Sequence, residues 1–325
     1  MDDIERLIRE ANAAPVRRTS SLSPRAEADL AAILSASPPI PAHRDLRWRR
    51  RLIWGSAVAA AIAVILTVTM PFATPPAVAS PPLLTFIPVS GSPSTVLGRL
   101  GEVARSSILT PTSSVIASET WSADLTEVAG TTTTFVQPRE VTRTYHPDGS
   151  ASIVTLAGSV RWGTVPNETA APQPGTVLER LDFTAAESPR LFLTPPPSSS
   201  GEDLRAYLGG IFGFTEATTT GEYFGAVENL RNEWELDGAQ TAALTEMLAS
   251  LPDVSILGEV MDRLGRPAIA VATSTRAHGT FEDVLLFDKE SGALLASEEI
   301  YLGGDPDISL ASPSVFNYVA WKAQP

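Results

Sequence analysis

Leu52-Ile-Trp-Gly-Ser-Ala-Val-Ala-Ala-Ala-Ile-Ala-Val-Ile-Leu-Thr-Val-Thr-Met-Pro-Phe72 is a run of twenty-one residues without a charge. As a helix it reaches roughly 31 Å, the thickness of a bilayer's hydrocarbon core. A helix also satisfies every peptide group internally, which hydrocarbon demands. Arg44, Arg47, Arg49, Arg50 and Arg51 stand before the run, and the next Lys or Arg after it is Arg99. By the positive-inside rule the N-terminus is cytoplasmic and the long C-terminal part lies outside, in a protein that spans the cell membrane once. The rival reading is a signal peptide, because Ala77-Val78-Ala79 fits a small-residue cleavage pattern. The 51 residues before the run and the length of the run favour an anchor.

Charge divides the chain the same way. Residues 1–51 carry ten Arg against seven acids, a net of +3, and residues 73–325 carry fourteen Lys or Arg against thirty acids, a net of −16. An acidic outer part is a poor partner for nucleic acid or anionic lipid. The chain has no cysteine. Disulfides, thiolate metal sites, thiol catalysis and a lipid-modified N-terminal Cys are therefore excluded, and the outer part folds by packing alone.

The tail, residues 1–51, reads as two short helices. Ile4, Leu7, Ile8 and Ala11 share a face of the first; Ala26, Leu30, Ile33 and Leu34 line the second, which opens at Ser23-Pro24 and stops at Pro38-Pro39. Two such helices bury no core of their own. They are either nascent helices in a disordered tail or a docking pair for a cytoplasmic partner. Residues 73–93 hold six prolines and predict an extended stalk. Residues 94–325 make the outer domain.

Its pattern is helix, strands, helices, strands. Val96, Leu97, Leu100, Val103 and Ala104 have helical spacing. Strand patterns follow at 114–126, 131–137, 139–146, 151–160 and 178–183, with a tight turn at Asp148-Gly149. Ser200 with Asp203, and Asp237 with Gln240, have capping-box spacing and open helices; a further helix spans about 222–234. Strands return at 254–259, 267–275, 282–288, 294–302 and 314–322. The order predicts an α+β fold of antiparallel meanders covered by helices.

Chemistry is sparse. His146 and His278 sit in turn-like contexts, and no G-x-S-x-G elbow, phosphate-binding loop or calcium loop occurs. His43 has no second His or Cys beside it. Glu282-Asp283, Glu298-Glu299 and Asp305-Pro-Asp307 are the acidic clusters. Phe212, Phe214, Tyr223, Phe224 and Trp234 gather near the middle helices, as packed core or as the wall of a hydrophobic groove. No catalytic, cofactor-binding or metal-ligating residue is expected.

Met1–Glu10, the arginine stop before Leu52, His146–Gly149, Ala242–Val254, Gly265–Pro267 and Leu286–Leu295 together resemble a family of uncharacterised actinobacterial single-pass membrane proteins. Members are often encoded beside extracytoplasmic-function sigma factors. The outer element order is also similar to the lipoprotein-carrier fold, a half-barrel sheet covered by helices. The resemblance implies an anti-sigma-like role, and the helical spacing offers Ile4, Leu7, Ile8, Leu30, Ile33 and Leu34 as the docking face for a sigma factor. It also implies a hydrophobic ligand or envelope protein outside. The zinc pattern of many anti-sigma proteins is absent, since there is no cysteine. The expectation is a non-enzymatic sensor or regulator. The alternative is a membrane-tethered carrier of lipid or lipoprotein. An anchored hydrolase ranks third for want of a nucleophile and base.

Overall fold

The helical spacing after Pro93 and the strand alternation beyond it resolve into a sheet and a helix layer in a computed structural model. It describes residues 79–109, 114–123, 135–163, 171–306, 308 and 310–322. The run 52–72 and the six tail residues expected to dock a partner lie outside these. Among the described residues no helix is long and apolar enough to cross a membrane.

Helix α1 (Pro93–Ser106) starts where Ser92 accepts a hydrogen bond from the Thr95 N–H, with proline at the first turn. Strands β1 (Val115–Ser122), β2 (Phe135–Val136), β3 (Arg139–Tyr145), β4 (Ala151–Ala157), β5 (Trp162–Gly163) and β6 (Val177–Phe183) follow. Helix α2 (Gly201–Phe212) opens at Ser200 and ends at Gly213 in the left-handed region. Helix α3 (Thr220–Arg231) is shifted toward the N-terminus of its expected span. A capping box of Thr219 and Glu222, whose spacing passes unremarked in the sequence, sets its start. Helix α4 (Gly238–Ser250) opens on the Asp237–Gln240 box as its spacing predicts. Strands β7 (Ser255–Met261), β8 (Pro267–Thr273), β9 (Phe281–Asp288), β10 (Leu294–Tyr301) and β11 (Ser314–Trp321) complete the domain.

Nine strands form one antiparallel sheet in the order β6-β4-β3-β1-β11-β10-β9-β8-β7, and β2 pairs with β5 apart from it. Two meanders thus meet where β1 pairs with β11, Ser118 opposite Trp321 and Thr120 opposite Val319. The fold is α+β, as the element order predicts.

Strand alternation sends neighbouring side chains to opposite faces. On one face Val319, Trp321, Leu285, Phe287 and Val271 pack against Leu97, Leu204, Leu230, Leu244 and Met247 of the helices. On the other, Tyr318, Ala320, Leu286, Ala270 and Ala296 build a second core. With both faces covered, every residue of β8 after Pro267 is buried, which is why Ala-Ile-Ala-Val-Ala-Thr has no polar alternation. Each large side chain so buried contributes roughly 1.5–3 kcal/mol. Helices α1 and α4 approach closely: a Cβ on Gly238 would stand 2.2 Å from the Ala104 carbonyl oxygen.

Candidate functional site

The second core is closed by the proline-rich segment. Where the sequence predicts a stalk lifting the domain off the bilayer, the described part, Ala79–Val89, lies along the sheet as a strap. Ala79, Leu84 and Phe86 pack on the second core. The Ser80 hydroxyl donates to the Val315 carbonyl at 2.9 Å. Ile87 and Glu259 exchange backbone hydrogen bonds of 2.8 and 2.7 Å at the outer edge of β7. Gly258 permits that approach: its φ is +133°, and a Cβ there would lie 2.2 Å from the Ile87 oxygen. Proline suits such a segment, because it has no N–H to satisfy. The row of alanines on this face, Ala268, Ala270 and Ala272, gives the second core a floor of small side chains.

Beneath the strap is a buried ionic network. Arg263, in the turn between β7 and β8, donates from Nε and Nη2 to the two oxygens of Glu298 at 2.8 and 2.9 Å. Their side chains are 3% and 1% exposed, so this is a bidentate pair out of reach of water. A third donor, Nη1, holds the Pro82 carbonyl at 2.8 Å and ties the pair to the strap. The guanidinium lies 5.4 Å from the ring centres of both Trp162 and Tyr318. Tyr318 donates to Glu119 at 2.9 Å, and Arg161 donates to the other oxygen of Glu119 at 2.7 Å. Arg161 also reaches the Arg263 carbonyl, at 2.5 Å. Burial pushes the Glu298 carboxyl up while Arg263 pulls it back, and burial followed by the Glu119 charge pushes the Tyr318 hydroxyl up.

The acidic clusters of the sequence separate on this lattice. Glu298 faces the strap, whereas Glu299 faces the helices and binds Arg276 at 2.7 Å. Asp283 joins the same arginine at 2.7 Å. Burial pulls Arg276 down, but the charges of Glu299 and Asp283 outweigh it and its pKa is raised. His146 and His278 are both exposed in turns, His278 with φ of 58°. Among the described residues no group of three or more His, Asp or Glu gathers as a metal site.

The mid-domain aromatics pack together. Phe192, Phe212, Phe214 and Tyr223 form a chain of ring contacts with centroids 4.7–5.9 Å apart, and Phe224 is 1% exposed beneath them. Trp234 donates its indole N–H to the Phe192 carbonyl at 3.1 Å. These residues fill a core.

No family model matches the chain, and no curated protein sequence matches it. Solved structures of MucB are distant neighbours. The crystal structure of MucB has 15% identity and a TM-score of 0.27, over 70% of this chain and 56% of that one. MucB in complex with MucA(peri) has 14% identity and a TM-score of 0.25, over 72% and 57%. The MucA/MucB complex of Pseudomonas aeruginosa has 16% identity and a TM-score of 0.23, over 70% and 55%. The chain thus spans little more than half the length of these neighbours, and likeness at this level assigns no fold or activity.

The strap and its ionic clamp have a weak sequence signal. Arg263 and Glu298 are 35 residues apart and no local pattern links them. Gly258, a glycine inside a strand pattern, is the one local hint of a close backbone approach.

Proposed function

We propose that this chain is a non-enzymatic, single-pass membrane regulator. In this proposal the run 52–72 spans the membrane, the outer domain senses a ligand or envelope protein, and the tail presents Ile4, Leu7, Ile8, Leu30, Ile33 and Leu34 to a sigma factor. The observation that carries it is the docked strap. Only six residues, 73–78, stand between Phe72 and the strap. A free stalk transmits little, whereas a strap clamped through Pro82, Ser80 and Ile87 gives the domain a two-state element at the membrane-proximal end of its chain. Docked, its backbone is held to the sheet by hydrogen bonds; released, it is an untethered, extended segment open to a protease.

The filled helix-side core, with Leu97, Leu208, Leu230 and Met247 at 0% exposure, gives the carrier alternative no support. The test is a pull-down of full-length protein from its own host through a tag at the outer C-terminus. A sigma factor should co-purify, and should be lost when Leu30, Ile33 and Leu34 are changed to Asp. An empty cytoplasmic fraction with the anchor intact refutes the proposal.

A further inference from the structure

Among the described residues six buried side-chain polar atoms have no hydrogen-bond partner, and four of them belong to β1, β3 and the segment after β6. They are Ser118 Oγ, Arg143 Nη1, Ser188 Oγ and Arg190 Nε. Topology gathers them. Arg143 and Tyr145 are two apart on β3 and share one face. Ser118 pairs with Val141 and Ile116 with Arg143, so Ser118 is a diagonal neighbour of Arg143 on that same face. The Arg190 guanidinium lies 4.8 Å from the Tyr145 ring centre and 4.4 Å from that of Trp234, which places it at the Tyr145 end of β3, on the Arg143 side of that strand's face. Ser188 is two residues before it. Ser118 is 1% exposed.

Four other arginines of the domain are paired with acids. Arg161, Arg263, Arg266 and Arg276 each hold a carboxylate oxygen within 2.8 Å. Neither Arg143 nor Arg190 has an ion pair or side-chain hydrogen bond among the described residues. Acids in their electrostatic range are engaged elsewhere. Glu233 accepts the N–H groups of Leu191 and Phe192 at 2.9–3.0 Å, and Glu228 accepts the Ser297 hydroxyl at 2.8 Å. Burial lowers the Arg143 pKa against the pull of Tyr145, Glu228 and Glu233. A buried guanidinium without a partner is costly, and it has no lone pair to accept a donor.

We infer that this cluster binds an oxyanion, the carboxylate or phosphate group of a small ligand, through the N–H groups of Arg143 and Arg190 and the hydroxyls of Ser118 and Ser188. All four groups donate. An oxyanion carries enough lone pairs to accept from each, and charged donors make such bonds short and strong. Tyr145 and Trp234 flank the guanidinium of Arg190 and fix its plane. The net charge of −16 on residues 73–325 repels anions at long range, so recognition here is short-ranged and depends on these donors.

The test uses purified full-length protein in detergent, melted in sodium phosphate, sodium succinate or sodium chloride at equal ionic strength. It reads binding alone, so it is independent of any sigma-factor partner. Phosphate or succinate should raise Tm by about 5 °C near saturation and change tryptophan emission, while chloride should do neither. The salt that acts identifies the headgroup chemistry. Arg143→Gln and Arg190→Gln should each weaken apparent affinity at least tenfold. Arg139→Gln, an exposed arginine on the same strand, should leave it unchanged. Should Arg143→Gln fail to fold, Arg190→Gln and Ser118→Ala carry the test. Equal melting in all three salts overturns the inference. So does a shift that survives in both arginine variants.

Discussion

Replacing Arg263 with Met is the most direct test of the strap's clamp. The side chain keeps its apolar stem and loses three donors. Glu298, 2% exposed, then has a buried carboxylate with both oxygens stripped of their partner, and the Pro82 carbonyl loses the Arg263 donor. Breaking one side of a buried pair costs about 3–5 kcal/mol. For a domain of this size that lowers Tm by about 10 °C. The cost depends on pH with a definite sign. Burial already raises the Glu298 carboxyl and Arg263 opposes it. Without Arg263 the folded carboxyl rises further above its unfolded value. Its contribution to folding is then full below the ordinary carboxylate range and lost as pH rises through the raised value. The variant should therefore lie nearer wild type at pH 5 than at pH 7.5. The double variant Arg263→Met with Glu298→Leu removes the orphaned charge and should recover most of the loss. Urea denaturation of full-length protein in detergent, followed by tryptophan fluorescence, gives all four corners of the cycle. A single variant within 1 kcal/mol of wild type at pH 7.5, or a double variant as unstable as the two singles summed, refutes the reasoning.

Three further outcomes are expected. Gly258→Ala places a methyl against the Ile87 oxygen in a backbone region that L residues avoid, so it should cost more than about 1 kcal/mol and open new protease cuts within 79–92; mass spectrometry of limited digests would show them, and a wild-type digestion pattern counts against strap docking at β7. Glu282 is half-buried and its carboxyl is raised by burial alone. Its contribution is favourable below the ordinary carboxylate range and lost above the raised value, so Glu282→Gln should be more stable than wild type at pH 7 and equal to it at pH 4, in denaturant midpoints at the two pH values. Asp237→Ala removes the acceptor of the 2.7 Å bond from the Gln240 N–H and should cost about 1 kcal/mol in the same assay.

Most elements of the outer domain are legible locally. The Asp148-Gly149 turn, the Asp237–Gln240 box and the strand spans from 139 to 322 each rest on signals within a few residues. The sheet's closure is not local: β1 meets β11 across about two hundred residues, and alternation alone names no partner strand. The strap was unreadable for a related reason. A proline-rich stretch looks the same whether it is solvated or laid on a sheet, and what decides is a glycine at 258 and an arginine at 263, far along the chain. The acidic doublets misled in the same way. Glu298 and Glu299 are adjacent in sequence but face opposite sides of the sheet, where each finds its own arginine. The tail residues Ile4, Leu7, Ile8, Leu30, Ile33 and Leu34 lie outside the described residues, so their docking role rests on helical spacing.

The sheet settles its charges differently on its two faces, and β1 carries both solutions. Glu119 points to the strap and is held by Arg161 and Tyr318; Ser118, beside it, points to the helices and has no partner among the described residues. A ligand at the Arg143 cluster shifts the strap only if it binds the docked and released states with different affinity. That coupling is reciprocal: an anion that stabilises the docked strap must itself bind more tightly when the strap is docked. Gly258→Ala is the useful perturbation, because it acts at the β7 edge, far from β1 in the strand order, and alters no group of the cluster. Weaker phosphate or succinate binding in that variant would make the two faces one device, with the anion as input and the strap as output. Equal affinity would separate them, and a regulator built on this domain would then take its signal at the strap itself.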